Sequence, residues 1–207
     1  MKNTIWKVAF CSAVLAAMLM PAAAQTTNTT TASPKPATIN QRKENQQDRI
    51  GQGIQSGQLT AGEASKVETK ESDLNKEERL MRTEDNGKLT SADKSALTQQ
   101  QNQLSNQIYK DKHNSAVQNT NPSSKVGKRA ENQQDRIAQG VTSGQLTAGE
   151  TAKLEKNEAG INKEVSADRK ANGGTLTQAQ KAQVNKQQNK ASKQVYKDKH
   201  NSFRQKP

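Results

Sequence analysis

The sequence predicts an all-α fold in which two tandem three-helix modules are joined by a flexible linker. The first observation is a duplication: a shift of 87 residues aligns 44–118 with 131–205, and 42 of these 75 pairs are identical. Apolar residues also recur at spacings of four and seven, which is the helical period. Finally, only 29% of the residues are hydrophobic and 2% aromatic, which excludes one large core and favours small helical units.

Residues 1–24 have the pattern of a secretory signal peptide. A cationic start precedes an apolar run at 8–20, and Ala22-x-Ala24 supplies the small residues of a cleavage site. The run is shorter than the roughly 20 residues that cross a membrane. We therefore expect cleavage after Ala24, a periplasmic or secreted protein, and no integral membrane segment afterwards. The sole cysteine, Cys11, would be removed, which excludes disulfides and thiolate chemistry.

The rest of the chain divides around the duplication. Residues 25–43, rich in Thr, predict a disordered leader, and 119–130, with Pro, Gly and Ser, predict a linker. The modules are then 44–118 and 131–207. Each has its own turns and apolar positions, so we expect each to fold by itself as a unit of modest stability.

Each module predicts the same three helices. Ile50 and Ile54 share a face of the first helix, which stops at a Ser-Gly-x-Leu-Thr turn. A Thr followed three residues later by Glu, Asp or Gln then predicts a capping box at the start of the second and third helices. Gly160 falls within one second helix, where a kink or short break is expected. The predicted turn and cap residues are Gly57, Thr60, Glu63, Gly87, Thr90, Gly144, Thr147, Glu150, Gly174 and Thr177.

The turns, with a glycine, Leu-Thr and a later acid or amide, resemble the second half of the loops in an EF-hand pair. That resemblance would imply calcium held by the final acidic residue of each loop. Carboxylates belong at the first and third loop positions, but other residues hold both positions in the first loop of each module and the first position in the second loop. We therefore expect a degenerate pair without calcium and no cofactor. Those positions are Gln52, Ile54, Gln139 and Val141, with Arg82 and Arg169 at the first position of the other two loops.

Two further resemblances bear on function. The segments 97–101 and 176–180 read Leu-Thr-x-x-Gln, which is similar to small helical periplasmic stress chaperones. The whole repeat resembles secreted bacterial helical-repeat proteins with Gly-x-Leu-Thr-x-x-Glu and Ile-Tyr-x-x-Lys-His-Asn motifs. This second resemblance covers nearly all of both modules and implies secretion and a helical module, with no catalytic residues to transfer.

The two histidines, His113 and His200, occupy equivalent positions, each four residues after a tyrosine. A helix C-terminus favours His and Asn, which gives this motif a structural explanation. A weak metal site is the alternative, although one histidine in each module supplies few ligands. No Ser-His-Asp order and no phosphate-binding glycine loop are present in the sequence, so we expect a protein that is not an enzyme.

The formal net charge is +12, and the cations are concentrated at the C-terminal end. Aromatic residues are too sparse there for a single-strand stacking platform. The candidate residues for weak polyanion binding are Lys181, Lys186, Lys190, Lys193, Lys197, Lys199 and Arg204. We therefore predict an exported, non-enzymatic binding or scaffold protein of the bacterial envelope. A holdase-type chaperone with a protein client, or a weak metal or polyanion binder, is the alternative, and the oligomeric state stays open.

Overall fold

The computed structural model of the chain describes residues 36–119 and 122–205. The predicted signal peptide at 1–24 and residues 25–35 of the predicted leader lie outside this part. The described residues form helices and connecting turns without a strand, which confirms the all-α prediction. The helices are α1 (Ile39–Gln55), α2 (Ala61–Glu84), α3 (Ser91–Lys112), α4 (Lys125–Thr142), α5 (Ala148–Ala171) and α6 (Gln178–Lys199). We call 36–118 copy 1 and 123–205 copy 2, which the same shift of 87 residues aligns.

Two helices begin earlier than the sequence analysis places them. Helix α1 starts at Ile39, inside the predicted leader, because Thr38 and Gln41 form a capping box. Helix α4 starts at Lys125, inside the predicted linker, where the Ser124 hydroxyl accepts a hydrogen bond from the Gly127 amide at 3.0 Å. The connection between the copies is therefore shorter than predicted.

Helix α5 runs through Gly160 without the break that its sequence suggests. A Cβ at this position would meet no atom within 4 Å, so no close neighbour requires a glycine here. The packing of both flanking turns holds the helix together, and tertiary burial outweighs the low helix propensity of glycine.

Equivalent helices of the two copies pack against each other, α2 against α5 and α1 against α4. The Ser65 hydroxyl donates to the carbonyl oxygen of its own equivalent, Ala152, at 2.9 Å. Further along α2, Ser72 lies next to Gly149, which precedes Ala152 in α5. Because the contacts move forward along α2 and backward along α5, the two helices run antiparallel. Helices α1 and α4 approach closely at Gly51, where a Cβ would lie only 2.5 Å from the Thr142 methyl carbon.

This packing produces one core shared by both copies. The described residues belong to a single compact unit, and its main apolar cluster joins Ile50, Ile54 and Leu59 of copy 1 to residues of copy 2. The copy 2 members are Ile137, Ala138, Val141, Leu146, Leu154 and Val195. A second, smaller cluster lies within copy 2. The structure thus differs from the expected pair of separate cores, because one face of α1 packs against α4 and one face of α2 packs against α5.

Candidate functional site

The predicted turn residues form the joints between helices. Thr60, Thr90, Thr147 and Thr177 are the N-caps of α2, α3, α5 and α6, and each forms a complete capping box. The glycines of the turns, Gly57, Gly87, Gly144 and Gly174, all have positive φ, with Gly57 at +69°. This left-handed backbone reverses the chain direction at low cost only with glycine.

The acid of each first turn also anchors the end of its copy. Glu63 accepts hydrogen bonds from the Thr60 amide at 3.0 Å and from Asn114 Nδ2 at 2.7 Å. Burial raises the pKa of Glu63, but these hydrogen bonds outweigh it and lower the pKa below its usual value. Glu150 has the same two kinds of contact, from Thr147 and Asn201. These carboxylates join helices, which differs from the calcium-ligating role that an EF-hand would give them.

The histidines lie at the C-caps of α3 and α6. His113 Nδ1 donates to the Tyr109 carbonyl oxygen at 2.7 Å, and the two rings stack with centroids 4.2 Å apart. His200 and Tyr196 repeat this arrangement. Within 36–119 and 122–205, no group of three His, Cys, Asp or Glu residues is placed to hold a metal ion. Each histidine thus caps the C-terminus of its helix and stacks on the tyrosine one turn before it.

The two Leu-Thr-x-x-Gln segments occupy different places in the fold. Leu97 is buried in the first half of α3, one residue before Thr98, whereas Leu176 precedes α6 and Thr177 caps it. The motif therefore marks a helix interior in one copy and a helix start in the other, and it is not one repeated structural element.

Four glutamates, which the sequence analysis did not select, lie buried on α2 and α5. Glu68 and Glu71 of α2, and Glu155 and Glu158 of α5, are each at most 1% exposed. Gln47 donates to Glu68, and Gln134 to Glu155, both at 3.1 Å. Both carboxylate oxygens of Glu71 and of Glu158 have no hydrogen-bond partner among the described residues. We call these residues the glutamate cluster.

The environment of the glutamate cluster favours the protonated carboxyl. Burial is the largest cause, raising the pKa of Glu71 and Glu158 to about 7 and that of Glu155 to about 8. Burial also raises the pKa of Glu68 well above its usual value, and the nearby Glu71 and Glu155 add to this. The sequence carried a signal: Glu71 stands between Val67 and Leu74 on the apolar face of α2, and copy 2 repeats the arrangement.

The structure divides the predicted polyanion-binding residues into separate groups. Lys186, Lys190, Lys193 and Lys197 are all exposed, and their spacings of four, three and four place them on one face of α6. At 1.5 Å per residue this face is about 16 Å long. None of the four forms an ion pair within 4 Å with an acid of the described residues. We call these residues the lysine face.

The other three candidates lie elsewhere. Lys199 Nζ donates to the Arg136 carbonyl oxygen at 3.2 Å, and burial and the nearby Arg136 lower its pKa. Arg204 folds back onto the carbonyl oxygens of Asn201 and Phe203. Lys181 lines a cavity with Lys125, Arg129 and Arg169, which the sequence analysis did not select as binding residues. Of the seven candidates, the four of the lysine face are those that lie together on one helix face without an ion pair to a described residue.

No family model, no curated protein and no solved structure matches the chain. Among the residues that the structure describes, no helix has both the length and the apolar character that crossing a membrane requires.

Proposed function

We propose that this chain is an exported, non-enzymatic binding protein of the bacterial envelope, and that the lysine face of α6 holds an anionic polymer. The carrying observation is the difference between two equivalent helices. Where α6 has Lys186, Lys190 and Lys193, the equivalent residues of α3 are amides, and only the fourth lysine is common to both. The amides of α3 are Gln99, Gln103 and Asn106, and all three are exposed.

Because the two helices have the same neighbours within their copies, the three lysines are not needed for packing. Three adjacent free cations instead create a local positive potential that attracts a polymer with regularly spaced negative groups. Such contacts lie in water and are screened by salt, so binding should weaken as ionic strength rises. The predicted signal peptide supports a location where envelope polyanions are accessible.

The test is binding of fluorescent dextran sulfate to the chain that begins at Gln25, with uncharged dextran as the reference polymer. We expect dextran sulfate to bind and dextran to be inert. Lys186→Gln/Lys190→Gln/Lys193→Asn gives α6 the side chains of α3. Because each lysine near an anionic surface contributes about 1 kcal/mol, the loss of three lysines should weaken binding by about 100-fold.

The matched control removes three exposed cations from copy 1, through Arg79→Gln/Lys88→Gln/Lys94→Gln. Its net charge equals that of the first variant, so equal weakening by both would mean that only the overall charge matters and would reject the lysine face. The reciprocal variant, Gln99→Lys/Gln103→Lys/Asn106→Lys, should create a second binding face on α3 and increase the amount of polymer bound.

Export itself is tested by mass spectrometry of material recovered outside the cytoplasm. We expect an N-terminus at Gln25, since Ala22-x-Ala24 supplies the cleavage site. A product that retains Cys11 would contradict this part of the proposal.

A further inference from the structure

A cavity of about 710 Å³ lies where the start of α4, the end of α5 and the start of α6 meet. Four cationic side chains line it: Lys125, Arg129, Arg169 and Lys181. Apolar side chains of Val126 and Leu176 form part of its wall, and both residues are more than nine-tenths buried. None of the described residues that line this cavity is acidic. We call it the cationic cavity.

Neutral groups hold the two arginines in place. The guanidinium of Arg129 donates to the amide oxygens of Asn185 and Asn189, and Arg169 Nη2 donates to the Ser124 hydroxyl at 3.1 Å. A guanidinium has five N–H donors, so donors remain on both arginines that have no partner among the described residues. The partners orient the arginines without neutralising their charge.

Copy 1 shows how the corresponding charge is balanced when an acid is present. Arg82, the equivalent of Arg169, is paired with Glu78, the two side chains being 2.7 Å apart. The equivalent of Glu78 in copy 2 is Val165, which is apolar and buried. The substitution removes the carboxylate from the neighbourhood of the arginine and leaves four cations facing one space.

We propose that the cationic cavity is a binding site for a phosphate monoester with an apolar substituent. Two arginines offer the paired donors that recognise phosphate oxygens, and the two lysines add charge for a dianion. The substituent would lie against Val126 and Leu176. The volume of the cavity falls within the range of small-molecule sites, about 300–1,000 Å³.

The cationic cavity is separate from the lysine face, so binding in it does not depend on the proposed function. Lys181 precedes Lys190 by nine residues, which at 100° per residue places it on the opposite side of α6 from the lysine face. The cavity and the lysine face can therefore be removed separately, and failure of one leaves the other standing.

The experiment is calorimetric titration of the chain that begins at Gln25 with phenyl phosphate, together with thermal unfolding at increasing ligand concentration. Bound ligand should raise the melting temperature, because it relieves repulsion among the four cations in the folded state only. Inorganic phosphate should bind more weakly, since it lacks the apolar substituent. Equal affinity for the two ligands would contradict the role of Val126 and Leu176.

The variants exploit the duplication. Arg129→Gln/Lys181→Gln should weaken phenyl phosphate binding by about tenfold or more, because two charge-assisted contacts are lost. The control Arg42→Gln/Lys94→Gln changes the equivalent residues of copy 1 and should leave the affinity unchanged. Lys181 is exposed, so Lys181→Gln alone keeps the test valid if the double variant does not fold. Equal affinity in wild type and Lys181→Gln would reject the cavity as the site.

The phosphate could come from a soluble ester or from a lipid headgroup. Sedimentation with phosphatidylcholine vesicles, with and without phosphatidic acid, separates these sources. Retention by phosphatidic acid vesicles that phenyl phosphate reverses, and that Lys181→Gln reduces, assigns the lipid. Titration by phenyl phosphate without vesicle retention assigns the soluble ester. Loss of titration in Lys186→Gln/Lys190→Gln/Lys193→Asn would instead place the phosphate on the lysine face and overturn the inference.

Discussion

The two copies differ at one pair of equivalent buried positions, which hold charged residues in copy 1 and apolar residues in copy 2. In copy 1, the side chains of Lys43 and Glu78 are only 11% and 9% exposed, and their charged atoms are 3.0 Å apart. In copy 2, the equivalent residues are Ala130 and Val165, which are 3% and 7% exposed. One backbone arrangement thus accommodates either a buried ion pair or an apolar contact.

The ion pair of copy 1 belongs to a small network. Burial raises the pKa of Glu78, but hydrogen bonds from Lys43 and Arg82 outweigh it and hold the pKa below its usual value. Lys43 also lowers the pKa of Glu71, against the larger effect of burial. Because charge desolvation offsets much of the attraction in a buried pair, the copy 2 solution can be equally stable. The difference shows that both members of a buried ion pair can be replaced together by apolar residues while the helix packing is kept.

A second buried polar contact between the first and second helices is the same in both copies. Gln47 with Glu68, and Gln134 with Glu155, have equal distances in the two copies. The glutamate cluster is thus common to both copies, whereas the buried Lys43–Glu78 ion pair belongs to copy 1 alone among the described residues.

The largest expected effect is the pH dependence of the glutamate cluster. Its carboxyls have raised pKa values in the folded chain, so the folded chain binds more protons than the unfolded chain between about pH 4.5 and pH 8. The free energy of unfolding should therefore fall as pH rises through this range. Each unit by which a folded pKa exceeds the unfolded value contributes about 1.4 kcal/mol. Urea unfolding at about pH 5.5 and about pH 8.5 measures the difference.

Glutamine in place of Glu71 or Glu158 separates the two copies in this experiment. Each substitution replaces a carboxyl by a neutral group of similar shape and should flatten the pH dependence. The two effects should be similar, because both folded pKa values are about 7, and at Glu71 the nearby Lys43 lowers the pKa while the nearby Glu78 raises it. A free energy of unfolding that increases from pH 5.5 to 8.5 in the wild type would contradict the burial of uncompensated carboxyls.

The next effect is removal of one member of the buried ion pair. Lys43→Ala leaves Glu78 without its closest buried partner and should cost about 3 kcal/mol in the free energy of unfolding. Lys43→Ala/Glu78→Val installs the residues of copy 2 and should recover most of that loss. Chemical denaturation of both variants at one pH gives the comparison. If the double variant were as unstable as the single one, the copies would differ in backbone and not only in side chains.

A smaller effect is expected from the helix caps, where the copies are alike. Thr60→Ala and Thr147→Ala each remove a hydroxyl that accepts a hydrogen bond at the start of α2 or α5. Each should cost about 1 kcal/mol, and the two losses should be similar. Thermal unfolding monitored by circular dichroism checks both. A much greater loss at one threonine would show that the joints are not equivalent.

Calcium should have the least effect. Glu63 and Glu150 already accept hydrogen bonds from a threonine and an asparagine, and their two loops lack carboxylates at the first and third positions. Millimolar calcium should leave the melting temperature nearly unchanged. A rise of several degrees that Glu63→Gln or Glu150→Gln abolishes would restore the EF-hand interpretation.

The local rules of helix formation were readable because they depend on neighbours in sequence. The capping boxes at Thr60, Thr90, Thr147 and Thr177 each need only two residues three apart, and the structure has a helix start at every one. The same rule applied to Thr38 and Gln41 would have placed the start of α1 correctly. The lysine face was also present in the spacing of Lys186, Lys190, Lys193 and Lys197.

The amino-acid sequence by itself determined the duplication, the six helices and the residues that end them, because each depends on contacts within a few residues. Only the tertiary structure decided that α2 packs on α5 and α1 on α4, since polar residues such as Ser65 and Glu68 lie in that interface and give no apolar signal. It also decided which cations are free. Lys199 reaches a carbonyl 63 residues away, and Arg169 lacks the acid that Arg82 has. Helix packing and the pairing of cations both depend on residues that are distant in sequence and on burial from water, which no local pattern reports.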